Sequence, residues 1–383
     1  MGLTINNDKS QTVISPGRVN LLGEHVDYNG GPVLPVAINL TMALTFSPFA
    51  SDLVELHAVD LGETIVFQLS NLEEKVDINS QPLPHFALYP ASVAWACQKA
   101  GLPIQGLQAA YTSNIPMGSG LSSSAAVEVA FMQAFKALCN WDIDPMTLVK
   151  LTQKGENDYV GVHSGIMDQF ACMFGMENRA LYLDTRSLDW EPVPLPDNVA
   201  IIVADSQVRR ELSGSRYNDR QAACQQALAI LKNYLPGITA LRDVSPAEFE
   251  IYASRLPETI GKRARHVIEE IARVEESVAL LKENDIAGFG VMMVAGHNSL
   301  RDLYEVSTPE LDALVDIALH QPGCYGARLT GAGFGGCTVN LVRDDQAAYF
   351  IKTVEEQYQA QTGKQAKLYH CHATQGAHLV KES

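Results

Sequence analysis

Pro116-Met117-Gly118-Ser119-Gly120-Leu121-Ser122-Ser123-Ser124-Ala125-Ala126 runs a glycine–serine loop straight into an apolar-periodic segment. Val127, Ala130, Phe131, Ala134, Phe135 and Leu138 follow at i, i+3, i+4 and i+7 spacing, which predicts a helix with a buried face. Gly118 and Gly120 allow a tight turn and a close approach to a ligand, and the serines can cap the helix. A helix start carries unpaired N–H groups and partial positive charge, so the expected ligand is an anion. Any single serine here reads as an ordinary cap. Three serines after two glycines, followed by two small alanines, read as a phosphate site.

Outward from this loop the chain mixes short strands and helices. Thr41 to Phe46 and Leu53 to Ala58 are strand-like, and a helix is expected near 86–100 and a strand near 105–113. Helical patterns return over 145–160 and 165–174. Pro192, Pro194 and Pro196 alternate within 187–198, which predicts an extended connector and places a boundary there. Val199 to Ala204 then reads as a buried strand, with helices near 216–233, 261–284 and 287–303. Strands and helices alternate without a strict βαβ rhythm, so the expected class is α+β.

Three further stretches carry chemistry. Gly331-Ala332-Gly333-Phe334-Gly335-Gly336 matches Gly-x-Gly-x-x-Gly, but a strand-like run, Cys337 to Val342, follows it. A dinucleotide fingerprint needs a helix at that point, so a strand–turn–strand near a ligand is expected instead. No Gly-x-x-x-x-Gly-Lys-Ser/Thr loop occurs. Arg18, Glu24, His25 and Asp27 lie within Pro16 to Gly31, bracketed by glycines and a proline. Singly each is a loop charge; together, in a loop with little else to bury, they suit a polyhydroxylated ligand. Glu156 and Asp168 are separated by a turn bearing glycine and serine. They suggest one carboxylate for a magnesium ion and one for a proton, although Glu156 alone would read as an exposed helix charge.

The chain has 383 residues, which exceeds the usual single core and predicts two domains, 1–195 and 196–383. A net charge of −16 argues against nucleic-acid and membrane-surface partners, which want a basic footprint. Phosphates must then be held by N–H groups, a metal or a few placed cations. The 7 cysteines are scattered without a Cys-x-x-Cys pair, which suits a reducing compartment. His370-Cys371-His372 reads as part of a strand, since in an extended segment the cysteine points to the face opposite its two flanking histidines. Met1 to Asn7 lacks a signal pattern, and no apolar run is long enough to span a bilayer. The expected location is the cytoplasm and the default state a monomer.

The loops around Arg18, Ser122 and Gly333 resemble the three motifs of the GHMP small-molecule kinases. Gly17-Arg18-Val19-Asn20-Leu21-Leu22-Gly23-Glu24-His25-Val26-Asp27-Tyr28 is similar to the stretch that sets the galactokinase family apart within them. Gly165 to Gln169, Ser215 to Asn218, Tyr304 to Leu314 and Thr330 to Cys337 extend the likeness. The resemblance implies a two-lobed fold with ATP and sugar meeting in the cleft. It implies Asp168 as the base for the anomeric hydroxyl, with Arg18 holding it ionised and the two groups facing each other across the anomeric carbon. Glu24, His25, Asp27 and Tyr217 would bind sugar hydroxyls alongside Asp168. Gly118, Ser119, Gly120, Leu121, Ser122, Ser123 and Ser124 would wrap the ATP phosphates, with Ser124 and Glu156 on the Mg2+ side. Val26 stands where the family most often has threonine, Ala58 where many members have serine, and Gly155 replaces a more helix-friendly residue.

The implied reaction is ATP-dependent phosphorylation of galactose at its anomeric hydroxyl. N-acetylgalactosamine, arabinose and galacturonate are the alternative sugars. A non-catalytic galactose and ATP sensor is a reading of another class, but such sensors are altered at the serine–alanine step, and Ser124-Ala125 is intact here. A mevalonate- or homoserine-like alcohol shares two motifs, yet Glu24 to Tyr28 favours a polyol.

Overall fold

The computed structural model describes residues 10–49, 52–162, 164–209 and 213–380. The reading of Met1 to Asn7 lies outside them, and the side chain of Ser215 is not described. The first half contains strands β1 (Gln11–Asn20), β2 (Pro32–Val33), β3 (Pro35–Pro48), β4 (Leu53–Ala58) and β5 (Glu63–Gln68). Helix α1 (His85–Lys99), β6 (Leu107–Ser113), α2 (Ser123–Cys139), α3 (Pro145–Lys154) and α4 (Met167–Phe174) follow, then β7 (Arg179–Asp184) and β8 (Trp190–Pro194). The second half holds β9 (Val199–Asp205), α5 (Ser213–Leu231), α6 (Pro246–Tyr252), α7 (Glu258–Lys282), α8 (Ile286–Ser299) and α9 (Pro309–Leu319). It closes with β10 (Cys324–Thr330), β11 (Cys337–Arg343), α10 (Ala347–Thr362), β12 (Lys367–Cys371) and β13 (His378–Leu379).

A six-stranded sheet in the order β13-β1-β3-β6-β4-β5 forms the first lobe, with β4 and β6 its parallel pair. α2 packs against this sheet, with α1, α3 and α4 around it, and is buried on most sides: Ala126, Val129, Phe131 and Met132 are all inaccessible to solvent. The buried surface is therefore wider than the single stripe expected from the sequence, and Val127 is only partly buried. The second lobe rests on a four-stranded sheet in the order β10-β11-β9-β12. Gly331 to Gly336 joins β10 to β11 as the expected strand–turn–strand, with Thr330 opposite Cys337.

Three expectations need correction. The connector 187–198 is not free chain, because β8 pairs with β7 from Arg179↔Pro194 to Leu183↔Trp190. Pro192 and Pro194 sit on the outer strand of a small sheet, the place where prolines are tolerated, and Pro196 follows its end. The tail of the supposed 196–383 lobe returns to the first lobe, where β13 pairs with β1 at Val13↔Leu379. Arg18 to Gly31 is also not a loop with little to bury. Arg18 lies in β1, and Leu21, Leu22 and Val26 are fully buried in a core that continues to Val267, Ile268 and Val274 of α7.

Candidate active site

β1 shifts register against β3 between Pro16 and Gly17, and this bulge turns the strand toward the glycine–serine loop. Arg18 N donates to Leu121 O at 3.1 Å, and Arg18 Nη1 donates to Gly120 O at 2.7 Å. Its Nε and Nη2 each donate to Asp168, at 2.8 Å to Oδ1 and 2.8 Å to Oδ2, a two-pronged pair. The two groups meet directly, so the expected arrangement across a sugar carbon does not hold. A sugar would instead present that carbon beside the pair.

Ser122 precedes α2 with φ 61°, an uncommon conformation for a residue with a Cβ. Its side chain makes no capping bond; Ser122 Oγ donates to Asp168 Oδ2 at 2.6 Å. The local backbone strain thus aims a hydroxyl at the carboxylate rather than at the helix.

Two cavities meet at this pair. One, of about 340 Å³, is lined by Arg18, Glu24, His25, Asp27, Asp168 and Tyr217, with Gly331 and Ala332 among its walls. The other, of about 410 Å³, is lined by Gly118, Gly120, Ser122, Ser123, Ser124 and Arg209, again with Arg18 and Asp168. Arg18 and Asp168 are the residues shared by both walls. Ser119 and Leu121 do not face the second cavity. Ser119 Oγ is buried and donates to Pro116 O at 2.7 Å, and Leu121 contributes its carbonyl to Arg18.

On the first cavity's far side the carboxylates are packed closely. A Cβ on Gly165 would lie 1.8 Å from Asp27 Oδ2, so any larger residue here would have to displace the carboxylate. Burial raises the Asp27 pKa to about 6, with Tyr28 N opposing the rise and the charge of Asp168 adding to it. Burial also raises Glu24, against the pull of Arg328. His25 lines the cavity, yet both ring nitrogens have protein partners. Nε2 donates to Ala332 O at 3.1 Å, and Nδ1 shares a hydrogen bond with Tyr28 Oη 2.8 Å away. Tyr217 stands with its ring centroid 5.4 Å from that of His25.

Glu156 is not an exposed helix charge. It sits in a π-turn, Gly155–Val160, that extends α3, and it is 5% exposed. Gly155 is required there, since a Cβ would lie 2.7 Å from Ser92 O of α1. Glu156 Oε2 accepts from Gln169 Nε2 at 2.8 Å and from Ser164 Oγ. Gln169 Nε2 also reaches Glu128 Oε2 at 3.1 Å. Burial raises both acids, Glu128 strongly. Glu156 is not among the lining residues of either cavity, and its Oε1 has no hydrogen bond among the described residues. No group of three or more His, Cys, Asp or Glu side chains is placed to hold a metal among the described residues. A magnesium ion that arrives on nucleotide phosphates needs only one or two protein oxygens; Ser124, on the wall of the second cavity, meets that demand, whereas Glu156 lines neither wall.

Sequence reasoning missed Arg209 and Arg328. Arg209 follows the buried strand β9 and donates to Asp205 Oδ1 at 3.0 Å at the edge of the second cavity. Arg328 is a fully buried arginine inside β10, and a lone cation in an otherwise apolar strand was the available signal.

Comparison with known proteins matches three segments of the chain to family models. Residues 4–48 match the galactokinase galactose-binding signature, 89–176 the GHMP kinases N terminal domain and 277–359 the GHMP kinases C terminal domain. The chain is 42% identical over 371 residues to a galactokinase of Roseiflexus sp. strain RS-1, covering 97% of this chain and 93% of that protein. It is 38% identical over 374 residues to a galactokinase of Glaesserella parasuis serovar 5, covering 97% and 95%. The crystal structure of Lactococcus lactis galactokinase complexed with galactose superposes with a TM-score of 0.91 at 35% identity, covering 96% of this chain and 95% of that one. Methanococcus jannaschii mevalonate kinase shares the fold alone, with a TM-score of 0.67 at 20% identity over 95% and 98% of the two chains.

Proposed function

The chain belongs to the galactokinase family of the GHMP kinases, and from that premise we propose how its own residues carry the transfer. The reaction is that of a sugar-1-kinase: the γ-phosphoryl group of ATP passes to the anomeric hydroxyl of galactose, giving galactose 1-phosphate. The observation that supports the assignment of roles is the Arg18–Asp168 pair, common to the walls of both cavities. A sugar in the first cavity and nucleotide phosphates in the second would meet at that pair.

Asp168 accepts the proton of the anomeric hydroxyl as its oxygen bonds to the γ-phosphorus and the bond from that phosphorus to the β–γ bridging oxygen breaks, releasing ADP. Arg18 and Ser122 hold its carboxylate in one orientation, and Arg18 offsets negative charge where the phosphoryl group crosses. Glu24 and Asp27 accept hydrogen bonds from sugar hydroxyls, with Tyr217 closing that side. His25, engaged through both ring nitrogens, shapes the cavity by tying the sugar loop to Ala332. Gly118, Gly120 and Ser122 to Ser124 line the phosphate side, with Arg209 as an added cation. Ser124 and Glu156 would be the residues to hold a magnesium ion, which would neutralise charge on the nucleotide.

A coupled assay with ATP, magnesium and a sugar panel tests the reading. Turnover is expected to be fastest with galactose over N-acetylgalactosamine, arabinose and galacturonate. No turnover with any of the four would overturn it.

A further inference from the structure

We propose that Arg328 is a positioning residue for sugar recognition: from the second lobe it fixes the Glu24 carboxylate, and so favours a hydroxyl-bearing sugar edge there over an anionic one. This rests on the reading of Glu24 as a sugar ligand. Arg328 is 0% exposed and Glu24 2% exposed. Arg328 Nη2 lies 2.7 Å from Glu24 Oε2, within ion-pair range but out of line for a hydrogen bond. Its Nη1 donates to Leu21 O at 2.8 Å, and its Nε has no hydrogen-bond partner. A guanidinium buried this completely, with donors left over, is held in place chiefly by charge.

The surrounding contacts give Glu24 little freedom. Gly331 N donates to Glu24 Oε1 at 2.8 Å, and Thr330 Oγ1 lies 3.3 Å from the same atom. Asn20 Nδ2 donates to Oε2 at 2.8 Å, and His266 Nε2 donates to the Glu24 carbonyl at 3.2 Å. Glu270 completes the frame: its Oε1 accepts from Gly23 N at 2.9 Å and lies 3.7 Å from Arg328 Nη1. All of these partners except Asn20 and Gly23 belong to the second lobe. A carboxylate offers about four acceptor positions, so the contacts leave roughly one for a ligand hydroxyl. A site built this way rejects a second negative charge by repulsion, and it rejects a missing hydroxyl by leaving a buried acceptor unpaired.

The test uses the full chain with Arg328→Met, Arg328→Lys, Glu24→Gln and the double variant Glu24→Gln/Arg328→Met. Arg328→Met is expected to raise the galactose KM about tenfold or more, with kcat within about threefold and the ATP KM unchanged. Arg328→Lys should fall between it and the parent, since it restores charge without the planar fork. Adding Arg328→Met to Glu24→Gln should raise the KM no further, because both act through one carboxylate. The galacturonate-to-galactose ratio of kcat/KM should rise in Glu24→Gln. An unchanged galactose KM in folded Arg328→Met, or effects of the two single variants that multiply, would overturn the proposal. If Arg328→Met does not fold, an unchanged KM in Arg328→Lys overturns it instead. An unchanged KM in Glu24→Gln removes Glu24 from the sugar site, a failure of the underlying reading that the other variants distinguish.

Discussion

Asp27 shows what a polar site costs a single residue. Its carboxyl has little hydrogen bonding beyond Tyr28 N, sits against Gly165 and faces the charge of Asp168, so its pKa stands at about 6 against a usual 3.8. A raised acid pKa means the folded state holds its proton longer than the unfolded chain does. Between about pH 4 and 6 this carboxyl therefore destabilises the fold increasingly as pH rises, and the full cost is present above pH 6. Asp27→Asn should stabilise the protein at pH 7.5 by roughly 1–3 kcal/mol, discounted for partial exposure, and by almost nothing near pH 4. The same variant should weaken galactose binding. Thermal melts at the two pH values check the first claim and galactose KM the second; equal melting shifts at both pH values would contradict it. The type of this residue and its neighbours could be read from sequence. Its contact with Gly165 could not, because the two are brought together only by the fold.

At the scale of elements, the glycine–serine loop and α2 form a unit whose sequence was legible, since helix periodicity and glycine turns are local signals. The role of the serines was only half legible. The sequence allows the serines to cap the helix, but Ser122 enters α2 in a left-handed conformation without a side-chain cap, and its hydroxyl donates to Asp168. Ser124, the second residue of α2, lines the second cavity. Ser124→Ala should therefore raise the half-saturating magnesium–ATP concentration about tenfold while galactose binding survives, as measured by titration against each ligand. An unchanged magnesium and ATP dependence, with only about 1 kcal/mol of stability lost, would make it a plain cap. The π-turn at Gly155–Val160 was not legible. Its helical periodicity looks continuous, and the reason for Gly155, the approach of Ser92 O, lies 63 positions away in the chain.

Across the whole molecule, the two-lobed plan was readable from three motifs, but the way the lobes are joined was not. Pairings such as Val13↔Leu379 leave no mark in local periodicity, and the apolar core runs from the β1 loop into α7 without a break. No helix among the described residues is long and apolar enough to cross a membrane. The lobes meet so that Arg328 and Gly331 of the second support Glu24 of the first, while Arg18 and Asp168 stand between the two cavities. The proposed phosphoryl transfer at the Arg18–Asp168 pair rests on that meeting, and Asp168→Asn tests it most directly, keeping the side chain's shape while removing the proposed base. In the folded variant kcat should fall by roughly 10²–10⁴ with galactose affinity largely kept. A kcat close to that of the parent protein would contradict it.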